Sequence, residues 1–327
     1  MEEKLKSYFE DFSKQRARGE YSANTIKSYV KNISNLHYMC CGDEPFESLE
    51  FLNDKDNIMK SMGDRKASTK RNYINSAIAS LQATAYNPTL LKHYESMRDI
   101  LNNEYLKEKE NNKGKTTSQT EIFSQVSKQD ILNLCNQDFN ALKENFDDYQ
   151  MNMILNLYKA YPFRNELADV KCLKIREFYK VNKPENTGNY LVIKNSGRKY
   201  DFVFNTYKTS KKLGQKVIEI TDPKLTKMIM MWLSQVRKIS LKDINYVPFL
   251  SWKNGNALNR NDLSGHLRKY TNKHLGKNIS TTLLAKYFSP EIKDTSNPTE
   301  EEIKKIVSFT EQRGHSLQTH LQHYNQS

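Results

Sequence analysis

Along the first hundred residues apolar side chains recur at steps of three and four, the repeat of one helix face. In "SANTIKSYVKNISNLHYMC" the stripe is Ile26, Tyr29, Val30, Ile33 and Leu36, and Ser22 ahead of it suits an N-cap. In "STKRNYINSAIASLQAT" it is Ile74, Ala77, Ile78 and Leu81 behind Ser68. A third stripe follows Pro88 through Leu91, Tyr94, Met97, Ile100 and Leu101. With no convincing strand pattern or internal repeat among them, residues 1–106 predict a small helical domain. Residues 107–121, "KEKENNKGKTTSQTE", contain no apolar side chain and predict a flexible linker.

Helical period resumes in "SKQDILNLC" and "YQMNMILNLYKAYPF", then gives way to shorter runs between residues 189 and 221. "NYLVIK", "KYDFVFN" and "KVIEI", split by "NSGR" and "KKLGQ", predict a three-stranded antiparallel sheet. Helices return from "PKLTKMIMMWLSQVRK" onward. The expected fold class is mainly α. A helical domain precedes a mixed α+β domain, residues 122–327, that carries the small sheet.

Composition narrows the possible partners. The 327 residues suffice for two domains, and 37% hydrophobic with 11% aromatic side chains excludes a disordered chain. No stretch approaches the roughly 18 apolar residues of a membrane span. The charged opening "MEEKLKSYFEDFSKQRARGE" lacks the apolar core of a secretory signal. Cys40, Cys41, Cys135 and Cys172 have neither zinc nor disulfide spacing, so a reducing compartment without a metal or other cofactor is expected. Fifty-one Lys+Arg against 38 Asp+Glu leave a net charge of +13, which favours a polyanion, nucleic acid above all.

Three places concentrate chemistry. From 194 to 216 stand Lys194, Arg198, Lys199, Lys208, Lys211, Lys212 and Lys216, with Asp201 the one acid between them. Lysines on hairpins ordinarily keep an edge solvated. Those in "YKTSKKLG", between two strands, can also reach a phosphate backbone lying across the turn. In "AYPFRNELADVKCLKI", Arg164 stands among Tyr161, Phe163, Leu167 and Val170, where a guanidinium needs a partner. Either Glu166 pairs with it on the surface, or it is held for bidentate phosphate contact. In "EQRGHSLQTHLQHYNQS", His315 follows Gly314, and Tyr324 comes nine residues later. A helix there brings both to one face, able to share one phosphate; a frayed polar tail is the alternative. His320 and His323 read as surface residues.

In this order the features resemble the tyrosine recombinase/integrase family, over nearly the whole chain. "TYKTSKKLGQKVIEI" and "RGHSLQTHLQHY" are the most specific parts, and the style is similar to recombinases of mobile elements and large DNA viruses of eukaryotes. The resemblance implies that residues 1–106 are a DNA core-binding domain and that 122–327 carry catalysis. It implies Arg164 as first catalytic arginine, Lys208 as hairpin lysine, His315 as third-motif histidine and Tyr324 as nucleophile. The tyrosine would form a 3′-phosphotyrosyl bond, leaving a free 5′-hydroxyl, with no metal required. Double-stranded DNA would lie between the two domains, gripped in part by Lys194, Arg198, Lys199, Lys211, Lys212, Lys216 and Arg268. A tetramer on DNA, off the membrane, in the nucleus or cytoplasm of a host cell, is also implied.

One departure is decisive. The family's second motif, His-x-x-Arg, falls on "KNISTTLLAKYFSP", with Thr282 for the histidine and Ala285 for the arginine. Lys286, Arg268 and Arg313 are possible substitutes, Arg268 being far upstream. Ala285 predicts a chain that binds DNA and cleaves it poorly. A DNA-binding protein on the recombinase fold without catalysis, and a type IB topoisomerase, are the rival readings. A further departure is Glu166, two residues after Arg164 where three is the commoner spacing.

Overall fold

The computed structural model describes the chain except for residues 18, 86, 113–114, 291–297, 315–316, 318–319 and 321–327. It divides into two compact units, Met1–Asn111 and Asn112–Ser327. No described helix is long and apolar enough to cross a membrane.

The first unit is built from α1 (Glu2–Lys14), α2 (Ala23–Cys41), α3 (Lys55–Ser61), α4 (Ala67–Ala83) and α5 (Pro88–Asn111). Ser22 caps α2 by accepting from the Thr25 amide at 3.1 Å. The stripes meet as expected: Ile26, Ile33 and Leu36 of α2 share a core with Ile74 and Leu81 of α4 and Tyr94 of α5. The buried Tyr94 hydroxyl donates to the Leu52 carbonyl at 2.7 Å. Two positions differ from the pattern. Lys66, not Ser68, is the N-cap of α4, and Ile100 is 58% exposed because it turns off the buried face of α5.

The second unit opens with α6 (Thr117–Gln125), whose N-cap Thr116 forms a reciprocal capping box with Gln119. Since α5 runs to Asn111, most of the polar segment expected as a linker is helix. Then come α7 (Lys128–Cys135), α8 (Phe139–Leu142) and α9 (Phe146–Ala160), the last buried from Tyr149 to Tyr158. The remaining elements are β1 (Val170–Lys174), α10 (Ile175–Val181), β2 (Asn189–Lys194), β3 (Lys199–Phe204), α11 (Ser210–Leu213), β4 (Lys216–Ile220), α12 (Pro223–Met231), β5 (Asn245–Pro248), α13 (Arg260–Leu275), α14 (Thr281–Tyr287) and α15 (Glu300–Arg313).

The sheet corrects the sequence reading: it has five strands in the order β4-β3-β2-β1-β5, and it is mixed. The expected antiparallel trio β2-β3-β4 is present, while β1 lies parallel to β2 and β5 antiparallel to β1. A parallel pair needs a crossover, and α10 supplies it. Its Phe178 covers one sheet face with Leu173, Tyr190, Val192 and Val203, while Cys172, Leu191, Ile193 and Phe202 face the main core. Buried on both faces, β1 has no clean alternation to betray it. β5 is hidden by its Pro248 and by Tyr246 at φ +53°.

Candidate functional site

The parallel start of β1 and β2 decides which loops meet. β3 ends and β4 begins at that same end, so the segment before β1 and the turn at 205–215 converge there. Asn189 shapes the turn's approach from a buried position. Its Oδ1 accepts from the Asn205 and Thr206 amides at 3.0 and 2.9 Å, and its Nδ2 donates to the Thr206 carbonyl at 2.9 Å.

The end of α15 closes on this corner through its backbone. Gly314 terminates the helix at φ +67°, a left-handed conformation natural to glycine. A Cβ there would lie 2.5 Å from Thr209 Oγ1 and 3.3 Å from Tyr207 Cε2, so no side chain fits without displacement. The Gly314 carbonyl accepts from Thr209 Oγ1 at 3.1 Å and from Arg164 Nη2 at 3.4 Å. Arg164 is half-buried, and its own carbonyl accepts from the Tyr158 hydroxyl at 2.9 Å. Burial drives the Tyr158 pKa up, so its hydroxyl stays protonated and keeps donating. Arg313 is buried at 4% exposure, and its Nη1 donates to the carbonyls of Phe163 and Pro162 at 2.9 and 3.4 Å.

Lys216 completes the cluster. Its Nζ donates to the Gln312 carbonyl at 2.9 Å, lies 4.0 Å from Glu166 Oε1, and sits 4.7 and 4.8 Å from the ring centres of Phe204 and Tyr207. The loss of water outweighs the carboxylate. Burial first, then the positive charges of Arg164 and Arg313, pull the ammonium pKa down to about 8, against the opposing pull of Glu166.

The start of α14 reaches the same corner, where the Thr281 hydroxyl donates to Asn165 Oδ1 at 2.5 Å. Ala285 follows one turn later on the same helix face and is 2% exposed. Chemically, three cations and one carboxylate surround a backbone turn, an arrangement suited to holding a tetrahedral oxyanion such as a phosphoryl group.

Of the residues picked out from sequence, Arg164, Lys216 and Arg313, the last named as a possible substitute for the missing arginine, come together here. Lys208 is exposed on the turn, and Lys211 and Lys212 are exposed on α11. Lys194, Arg198 and Lys199 sit at the opposite end of the sheet, about 17 Å away at roughly 3.4 Å per strand residue. There Lys194 is ion-paired with Asp201. Arg268 is exposed on α13. His315 and Tyr324 lie outside the described residues, as does His323. His320 is a correction: it is fully buried, with Nε2 3.0 Å from the Pro290 carbonyl and its ring edge-on to Phe309. Burial lowers its pKa.

Sequence reasoning offered Lys216 as part of a solvated edge or as a DNA contact, and missed that its side chain is 11% exposed. The signal was there: period two puts Lys216 on the same strand face as Ile218 and Ile220, which are buried. Glu166, doubted for its spacing, is 4% exposed beside Lys216.

No family model matches the chain, and no curated protein matches it. Among solved structures, the crystal structure of XerA recombinase is similar, with 12% identity over 99% of this chain and 94% of that one, at a TM-score of 0.37. A likeness that loose decides neither fold nor activity.

Proposed function

We propose that the chain is a DNA strand transferase of the tyrosine recombinase type, with catalysis weakened at Ala285. The observation that supports this reading is the gathering of Arg164, Lys216 and Arg313 around Gly314, the residue directly before His315. In such a reaction the Tyr324 oxygen attacks a DNA phosphodiester, forming a 3′-phosphotyrosyl bond and releasing the 5′-oxygen. Negative charge grows on the non-bridging oxygens, and preorganised guanidinium and imidazole donors lower that barrier. The leaving 5′-oxygen needs a proton. Lys208 is one candidate donor, but Lys216, with a pKa near 8, is better matched to neutral pH. Residues 1–106 would be the core-binding domain, and assembly as a tetramer on DNA belongs to the same reading.

Ala285 shares a helix face with Thr281, which touches the residue after Arg164, so an arginine at 285 would extend toward the cluster. Its absence costs about 10²- to 10³-fold in rate, the usual effect of one lost oxyanion donor. The same alanine favours a second reading, a DNA-binding protein without catalysis. The test is a suicide DNA substrate incubated with the native chain and with Ala285→Arg, their folding checked by thermal melts. A covalent adduct that increases with Ala285→Arg and disappears with Tyr324→Phe is expected. A folded Ala285→Arg protein that binds DNA but forms no adduct would transfer the conclusion to the second reading.

A further inference from the structure

A second cationic cleft lies elsewhere in the same unit, where α12 runs into a π-helical turn, Trp232–Val236. Such turns are rare and gather at functional sites. The chain leaves it through Arg237 and Lys238, the latter at φ +54°, a strained conformation for a residue with a Cβ. Together with Lys143, Ser251, Trp252 and Lys253, these residues line a cleft of about 760 Å³. Its ionisable lining is Lys143, Arg237, Lys238 and Lys253 against Glu144 alone.

One polar group in the lining lacks the partner that burial normally demands, and one cation there has only neutral partners, backbone carbonyls and the Trp232 ring. The Ser251 side chain is fully buried, and its hydroxyl makes no hydrogen bond. Arg237 is half-buried, and its Nη1 donates to the backbone carbonyls of Pro248 and Phe249, but among the described residues no carboxylate pairs with it. A desolvated guanidinium without an anion is costly, and a ligand anion would relieve that cost. Trp252 adds an aromatic wall: it is 38% exposed and held edge-on by His266 at 4.4 Å between ring centres. A lone inorganic anion would leave both this ring and most of the volume unused.

We propose that this cleft binds a nucleoside phosphate. The phosphoryl oxygens meet Arg237, Lys238 and Lys253, and the base packs on Trp252. The volume falls within the usual range of about 300–1,000 Å³ for small-molecule sites. The site shares no residue with the Gly314 cluster, so it stands whether or not the chain cleaves DNA.

The probe is ADP, titrated into the full chain by calorimetry, with inorganic phosphate and adenosine as controls. Saturable ADP binding is expected, tighter than either control. The double substitution Lys238→Glu with Lys253→Glu should weaken it at least tenfold, and Trp252→Ala several-fold. All three side chains are exposed, so the fold is not at risk, and Trp252→Phe keeps an aromatic wall as a conservative check. Three results would each overturn the proposal: no saturable ADP binding up to millimolar concentration, phosphate binding as tightly as ADP, or unchanged affinity in the double variant. So would a double variant whose only defect is in binding duplex DNA, which would make the lysines backbone contacts.

Discussion

Because the Lys216 ammonium is largely removed from water against the Gln312 carbonyl, with Glu166 its one ion-pair partner among the described residues, its proton is held less tightly in the native chain than in the unfolded one. The native pKa is about 8 and the ordinary value 10.5, so between those pH values the unfolded chain carries a proton that the native chain has released. Stability from this group therefore rises with pH across that window. Urea melts at pH 8 and pH 10 should show a smaller rise in Lys216→Met than in the native chain. Binding to DNA should respond in the opposite sense, weakening from pH 7 to pH 9 as the charge is lost, and Lys216→Arg should remove that dependence in an anisotropy titration. At Gly314 the expectation is steric. Gly314→Ala combines a positive φ with a 2.5 Å approach to Thr209 and should cost about 1–3 kcal/mol, read as a lower melting temperature.

At the level of elements, the side chain of Asn189 makes three of the bonds that hold the turn carrying Lys208. Asn189→Ala removes two acceptor contacts and one donor contact and leaves the Asn205 and Thr206 amides without their partner. A loss of about 2–3 kcal/mol is expected in chemical denaturation, since orphaned polar groups are dearer than the bonds themselves. The strands on either side of this turn were legible because β2, β3 and β4 are rich in β-branched and aromatic residues and bounded by turn residues. β1 and β5 were not: the first is buried on both faces and the second is only four residues long. The helical stripes were legible for the same reason that they pack, with Ile100 the exception. Of the site, Arg164 stood out as a charge among apolar neighbours. Arg313 was legible only as a possible substitute for the missing arginine; its contacts to the Pro162 and Phe163 carbonyls were not, because no side-chain pattern encodes a backbone partner.

For the whole molecule, the net charge of +13 is not spread evenly over the sheet. One basic group, Lys194, Arg198 and Lys199, lies at the end remote from the Gly314 corner, and the other, Lys208 to Lys216, lies at it. If both ends meet DNA phosphates, the logarithm of affinity should fall linearly and steeply with the logarithm of salt concentration. Neutralising either group should make that slope shallower. A flat response in a filter-binding or anisotropy series would remove DNA backbone binding from the picture. The first unit has its own core, so residues 1–111 expressed alone should melt cooperatively in a calorimeter.

The close of α15 is sewn to the sheet through carbonyl oxygens: Gln312 takes the Lys216 ammonium, and Gly314 takes Thr209 and Arg164. An oxygen of the main chain is supplied by every amino acid alike. Position 312 should therefore tolerate nearly any exchange in a saturation library, while 313 and 314 beside it tolerate almost none. Mutational constraint here follows the direction of the peptide bonds, and a residue can stand at the middle of the candidate site while its own identity hardly matters.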